Sequence, residues 1–358
     1  MTAPAPIEPS GPAEVLLPCA DLNPALAFFV GELGFRVETI FPADEPKVAS
    51  LSGYGLRLRL EPVAGDPGVI RLASAVGNGP RELTAPNGTR IELVDPDPPV
   101  VVPPLVPEFV VTRAADSAGS GEGRAGMLYR DLIPSRLGGR FIASHISIPE
   151  GGPVADWVHF HKIRFQMIFC RKGWVRVVYE DQGEPFVMQA GDCVLQPPRI
   201  RHRVLEASPG LEVVEIGCPA LHETLADHAM DLPTPRLDTL REYGGQRFVH
   251  ALGDRTIWTP SGFSGFEARN TGIGRATRGL ADARTLRPAG ERGFQAPPHD
   301  GELMFGFLLE GSAILDCRGA AHALGPADAF VIPAGEAWGL GEASDDLRLL
   351  EVVLPARA

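Results

Sequence analysis

Three histidines and a glutamine define the chemistry open to this chain. His159 and His161 are separated by a single residue, Gln166 follows His161 by five, and His202 comes about 40 residues after the pair. On a strand, residues i and i+2 face the same way, so His159 and His161 present two imidazoles on one side. His202 follows a Gly191-Asp192 turn and Pro197. In a small barrel that separation returns the chain to a neighbouring strand facing the same interior. Gln166 adds an amide oxygen. Three neutral imidazoles and one oxygen suit one divalent transition metal, Fe(II), Ni, Zn, Cu or Mn. Such a set leaves positions open for substrate or O2. Mg and Ca prefer all-oxygen sites.

The elements that must position these groups are strands. With 41 glycines and 35 prolines in 358 residues, and short Val/Ile/Leu-rich runs, the chain reads as mainly β. Residues 1–12 are a Pro/Ala-rich flexible tail. Residues 13–96 form a small α+β module, one helix followed by several strands. The helix starts at Asp21-Leu22-Asn23-Pro24, with Asp21 and Asn23 as caps, and stops at Gly34. Residues 97–127 are a Pro-rich linker and loop. A β-rich block with the rhythm of a sandwich or barrel spans 128–222. Residues 223–245 form a connector, with a short helix expected over 221–229, and a second β-rich block fills 246–358.

The two blocks repeat one spacing. His161, Gln166 and Gly173 are matched by His299, Met304 and Gly311. Asp192, Pro197 and His202 are matched by Asp328, Pro333 and Trp338. One duplicated barrel is the economical explanation.

On these residues the chain resembles the cupin superfamily. Gly151 or Gly152, His159, His161, Gln166 and Gly173 follow its first motif; Gly191, Asp192, Pro197 and His202 follow its second. Gln166 stands where most members have Glu, and Arg199 where the second motif has Gly. The resemblance implies a bicupin: two double-stranded β-helix barrels, the first holding a metal on His159, His161, His202 and Gln166. In the second barrel Pro297, Met304 and Trp338 replace ligands and only His299 remains. That copy is expected to be metal-free, serving packing or an apolar ligand.

The N-terminal block resembles the vicinal-oxygen-chelate (glyoxalase/bleomycin-resistance) βαβββ module, through Val15–Pro18, Ala27-Phe28-Phe29, Leu33-Gly34-Phe35 and the strand around Arg90–Val94. Glu92 falls where that family often places a metal carboxylate. No histidine precedes His145, so the module is expected to be metal-free, either a dimerisation piece or a ligand-binding accessory.

Arg140, Arg164 and Tyr179 are candidate contacts for an anionic substrate, although surface or salt-bridge roles compete for each. His222-Glu223 either approaches the site mouth or begins the short helix. Trp157, Phe165, Met167 and Trp174 line a pocket or pack the core. Arg201 and Arg203, flanking His202, point away by alternation. The remaining histidines read as structural.

A small-molecule substrate is expected. A net charge of −12 with no basic run argues against a nucleic-acid partner. No apolar run is long enough to span a membrane and no export signal is evident, so a cytoplasmic protein is expected. Five scattered cysteines without a CxxC pair read as reduced core residues. The unpaired N-terminal module suggests a homodimer. Three functions are compatible with the pattern: a non-haem metal dioxygenase, a non-redox isomerase or lyase acting on a hydroxy-carbonyl compound or sugar acid, and a non-catalytic small-molecule-binding protein.

Overall fold

The computed structural model describes residues 11–74, 81–116, 121–122 and 126–356; most of the expected tail lies outside them. The chain divides into two compact units, Met1–Pro99 and Val100–Ala358.

In the first unit, four strands, Val15–Pro18, Arg36–Phe41, Val48–Gly53 and Leu56–Glu61, make one mixed sheet. Val15–Pro18 pairs parallel with Leu56–Glu61. Leu58 and Leu60 alternate inward and meet Phe28 and Phe29 in one core. The helix Leu22–Leu26 runs on as a π-helical turn, Ala27–Glu32. Asp21 occupies the N-cap without a side-chain bond, contrary to the capping expectation. A capping carboxylate accepts from the second or third helical N–H, and the third residue here is Pro24, which has none. A second sheet joins Val69–Ala73, Arg90–Val94 and Arg81–Thr84. On it, Glu92 is ion-paired to Arg71 at 2.8 Å.

The second unit is mostly β and holds two barrels, each built from two largely antiparallel sheets. The first pairs a seven-stranded sheet with one containing the strands His159–His161, Trp174–Tyr179 and His202–Ala207. The second pairs a seven-stranded with a four-stranded sheet. Period-2 alternation fills each interior. Ile146, Val177 and Val213 belong to the first core, and Phe294, Phe330 and Trp338 to the second. A further cluster joins the large sheets, setting Phe165, Met167 and Val214 with Phe305, Phe307 and Leu350. Each such phenylalanine contributes about 1.5–3 kcal/mol by leaving water. Phe165 and Met167 therefore pack the join between the barrels, while Trp157 is exposed.

The duplication is visible bond by bond. Cys170 N–H donates to the Asp192 carbonyl and Leu308 N–H to that of Asp328, both at 2.9 Å. Gln196 N–H donates to the Gln166 carbonyl, and Ile332 N–H to that of Met304. Gly173 and Gly311 share a left-handed turn, φ +74° and +72°. A Cβ at either would strike a serine hydroxyl, Ser208 or Ser344, within 2.5 Å. Arg199 adopts φ +65°, like Gly335 at +83°. Their N–H groups make the same bond, to the carbonyls of His161 and His299. Arg199 thus takes the left-handed conformation of the glycine it replaces, at a strain cost of about 1–2 kcal/mol.

Three local expectations are corrected. The 221–229 stretch forms a strand, Thr224–Ala226, because it pairs with His159–His161 and satisfies that short strand's backbone. Within the segment read as linker and loop, Val110–Thr112 is a strand paired with Ala329–Val331 of the second barrel. Conversely Val249–Ala251, in the block read as the second barrel, pairs with Cys193–Leu195 of the first. Each barrel thus receives a strand from beyond its own stretch of sequence. Among the described residues no helix is long and apolar enough to cross a membrane. All five cysteines are free and buried, and burial pushes the Cys170 thiol up to about 12.

Candidate metal centre

His159 and His202 face each other directly across the register of two antiparallel strands. His161, two residues along, shares the face of His159. All three are buried, and one ring nitrogen from each lies within 4.8 Å of the other two. Backbone carbonyls fix two tautomers. His159 Nδ1–H donates to the Trp157 carbonyl at 2.8 Å and His202 Nδ1–H to the Ile200 carbonyl at 3.0 Å. In each neutral ring the lone pair is then on Nε2, the form a metal requires. His161 Nδ1 lies 3.3 Å from the Thr224 hydroxyl, on the strand that sequence reading took for helix. Asp156 lies 3.5 Å from His159 Nδ1, a carboxylate behind a ligand candidate.

The histidines line a cavity of about 110 Å³ inside the first barrel. Beyond these and the polar Gln166, Tyr179, Gln196 and Glu215 its lining is apolar, with Ile146, Val177, Met188 and Val213 in it. That volume exceeds what one ion needs and leaves room for a small ligand.

Gln166 lies in this cavity, bonded on both sides of its amide. Its Oε1 accepts from Gln196 Nε2 at 2.9 Å, and its Nε2 donates to Glu215 Oε1 at 2.5 Å. Tyr179 also lines the cavity, and its hydroxyl donates to Gln196 Oε1 at 2.9 Å. Burial, with Glu215 second, pushes the Tyr179 phenol well above its ordinary value, so it remains a neutral donor. Tyr179, Gln196, Gln166 and Glu215 therefore form one ordered chain of hydrogen bonds.

Gln196 and Glu215 were missed in the sequence. Glu215 did leave a signal: on the strand Leu211–Cys218 it lies between Val213 and Gly217, on the face that alternation directs inward. His222 stands beside the centre, its ring 5.3 Å from that of His161, with Nδ1–H donating to the Pro219 carbonyl at 3.1 Å.

Arg140 and Arg164 do not reach the cavity, a correction to their reading as substrate contacts. Both converge on Glu302 of the second barrel, at 2.7 and 2.8 Å. A carboxylate offered from the neighbouring barrel pairs with both forks and ties the barrels together. Arg201 also points elsewhere, to Asp227 at 3.1 Å.

The Arg164 hydrogen bond, with help from Arg140, holds the Glu302 carboxyl below its ordinary value despite partial burial. Its folded pKa is depressed, so the pair's stabilisation is present above the ordinary carboxylate pKa and lost as pH falls through the folded value. Between about pH 6 and about pH 3 the melting temperature should fall more steeply for the native chain than for Glu302→Gln.

In the second barrel both ring nitrogens of His299 are hydrogen-bonded: Nε2–H donates to the Ile332 carbonyl at 2.9 Å, and Nδ1 accepts from Gly301 N–H at 3.2 Å. Trp338, in the place of His202, is buried against Phe294 and Phe330.

No family model matches the chain, and no curated protein matches it. Solved structures do. The chain is similar to the YlbA protein of E. coli, with TM-score 0.52 and 10% identity over 72% of this chain and 94% of that one. It is also similar to salicylate 1,2-dioxygenase of Pseudaminobacter salicylatoxidans, with TM-score 0.50 and 17% identity over 71% and 86%. A Bacillus subtilis oxalate decarboxylase variant matches with TM-score 0.49 and 13% identity over 72% and 79%. The first two likenesses establish a cupin-type fold; at these identities they speak to fold alone.

Proposed function

We propose that the chain is a metal-dependent oxygenase, holding a divalent transition ion on His159, His161 and His202. Its substrate would be a small organic molecule with an apolar body and oxygen donors at one end. The observation that carries this reading is the buried trio of imidazoles in the wall of a largely apolar cavity. The donors fit such an ion: all are nitrogens of intermediate softness, and two have their tautomers fixed by backbone carbonyls. An ion held there would supply Lewis acidity and, as Fe(II), redox chemistry toward O2.

The chain's own residues supply the rest. The apolar walls exclude water and orient the substrate body. The chain from Tyr179 through Gln196 and Gln166 holds the Glu215 carboxylate at the cavity wall. There Glu215 accepts a proton from a substrate hydroxyl as the substrate binds. Among the described residues no arginine or lysine lines the cavity, so an anionic group on the substrate would be neutralised by the ion.

Glu215 also favours a second reading, a non-redox isomerase or lyase, because a carboxylate beside a Lewis acid is the equipment for proton transfer. Oxygen separates the two. Protein reconstituted with Fe(II) and offered catechols, hydroxybenzoates and hydroxy acids should consume O2 with one class of these. Turnover without O2, with Ni or Zn, would replace the first reading by the second. No turnover with any metal would leave a binding protein. Glu215→Gln should retain the metal and lower kcat about 10²–10⁴-fold, as loss of a general base does.

A further inference from the structure

We propose that the join between the two barrels carries a binding site for a multiply charged oxyanion, built by Arg171, Arg269, Arg287 and Arg348. This site is separate from the histidine centre.

Three of the four arginines come from strands of one sheet, Phe266–Asn270, Asp282–Pro288 and Arg348–Leu354, which are neighbours in that order. Arg269 pairs with Thr285, two residues before Arg287. Their guanidinium carbons gather on the Trp258 indole, at 4.5 Å for Arg269, 4.2 Å for Arg287 and 5.8 Å for Arg348. Arg171 enters from the first barrel. Together they line a cavity of about 270 Å³, with Thr285 in its wall and Glu310 among its lining residues.

Among the described residues only two of the four guanidiniums have a carboxylate within 4.0 Å, with Glu310 in the lining and Asp254 acting on Arg269 from further away. Arg171 is paired with Glu212, and Arg287 with Glu267 at 2.8 Å. Among the described residues neither Arg269 nor Arg348 has a carboxylate within 4.0 Å; Arg348 donates to the Leu347 carbonyl at 2.7 Å. The Nε atoms of Arg269 and Arg171 are buried without a hydrogen-bond partner. A buried donor left unpaired costs about 1–3 kcal/mol. Burial, then repulsion from Arg287 and Arg348, holds the Arg269 guanidinium below its ordinary value. Such crowding, in a chain of net charge −12, is relieved by an anion that accepts from several forks.

The geometry also selects the ligand class. Guanidinium forks match the paired oxygens of phosphate and carboxylate groups. Guanidinium groups already lie over the indole, so recognition runs through charge rather than ring stacking. The shared chemistry is that of a phosphoryl compound or a polycarboxylate.

The test is isothermal titration calorimetry on the full chain, stripped of metal and held at constant ionic strength with KCl. The probes are inorganic phosphate, pyrophosphate and citrate. We expect saturable binding of at least one. A preference for pyrophosphate assigns phosphoryl ligands, and a preference for citrate assigns polycarboxylates. Arg269→Gln and Arg348→Gln should each weaken binding at least about tenfold while leaving the melting temperature equal or higher, because like-charge crowding is relieved. Arg269→Lys keeps the charge, loses the fork and should also bind more weakly. No heat from any probe up to about 10 mM, or unchanged affinity in the variants, would overturn the proposal. So would variants that merely melt lower without altering affinity.

Discussion

His159→Ala, His161→Ala and His202→Ala will each abolish binding of an added divalent transition metal, while His299→Ala will leave that binding as it was. The three rings converge to within 4.8 Å, so removing one leaves two ligands and an enlarged, wetter cavity. Loss of a residue behind a ligand typically costs 10–100-fold in metal affinity, and loss of the ligand itself should cost at least about 100-fold. His299 has the same place in the repeat as His161, yet its nitrogens are engaged by Ile332 and Gly301. Its removal should cost about 1–3 kcal/mol of stability, from the Ile332 carbonyl and the Gly301 N–H left without this partner. Elemental analysis by mass spectrometry after reconstitution, with circular dichroism to verify folding, reads both outcomes. Equal metal loss in all four variants would contradict the barrel assignment.

Trp338→Ala should be the most damaging single change in the second barrel, at about 3–5 kcal/mol. The indole is 2% exposed. Its ring neighbours are Phe294 at 5.3 Å, Phe330 at 5.7 Å and Phe263 at 6.1 Å between centroids. These are rigid rings in a dense core, so the void cannot collapse and the lost contacts are not recovered. Urea unfolding followed by circular dichroism should show the midpoint falling without loss of metal. Where the first barrel has an imidazole trio, the second is filled by aromatic packing.

How far the sequence could be read follows from the range over which each feature is determined. The β character, the duplicated spacing and the His159/His161/His202 set are local or periodic signals. Two-residue alternation and the Gly-Asp and Pro turns that carry them act within a few residues of the chain. The fold therefore matches that reading, down to Arg199 standing in a glycine's conformation. The helix expected around 221–229 failed for the opposite reason. Its composition suits a short helix, but the edge of the His159–His161 strand needed a backbone partner, and pairing prevailed over propensity.

The arginines teach the same lesson about charge. Arg140 and Arg164 looked available for substrate because Glu302, the group that binds them, lies 162 and 138 residues away in sequence. The chain alone therefore determined which residue types could meet at the centre, since strand periodicity is a short-range property. The tertiary structure decided which charges were already neutralised, that Gln196 and Gln166 tie Glu215 into one hydrogen-bonded chain, and that two barrels crowd four arginines into one recess. Ion pairs and hydrogen bonds between distant strands depend on how sheets pack, and no local spacing encodes that.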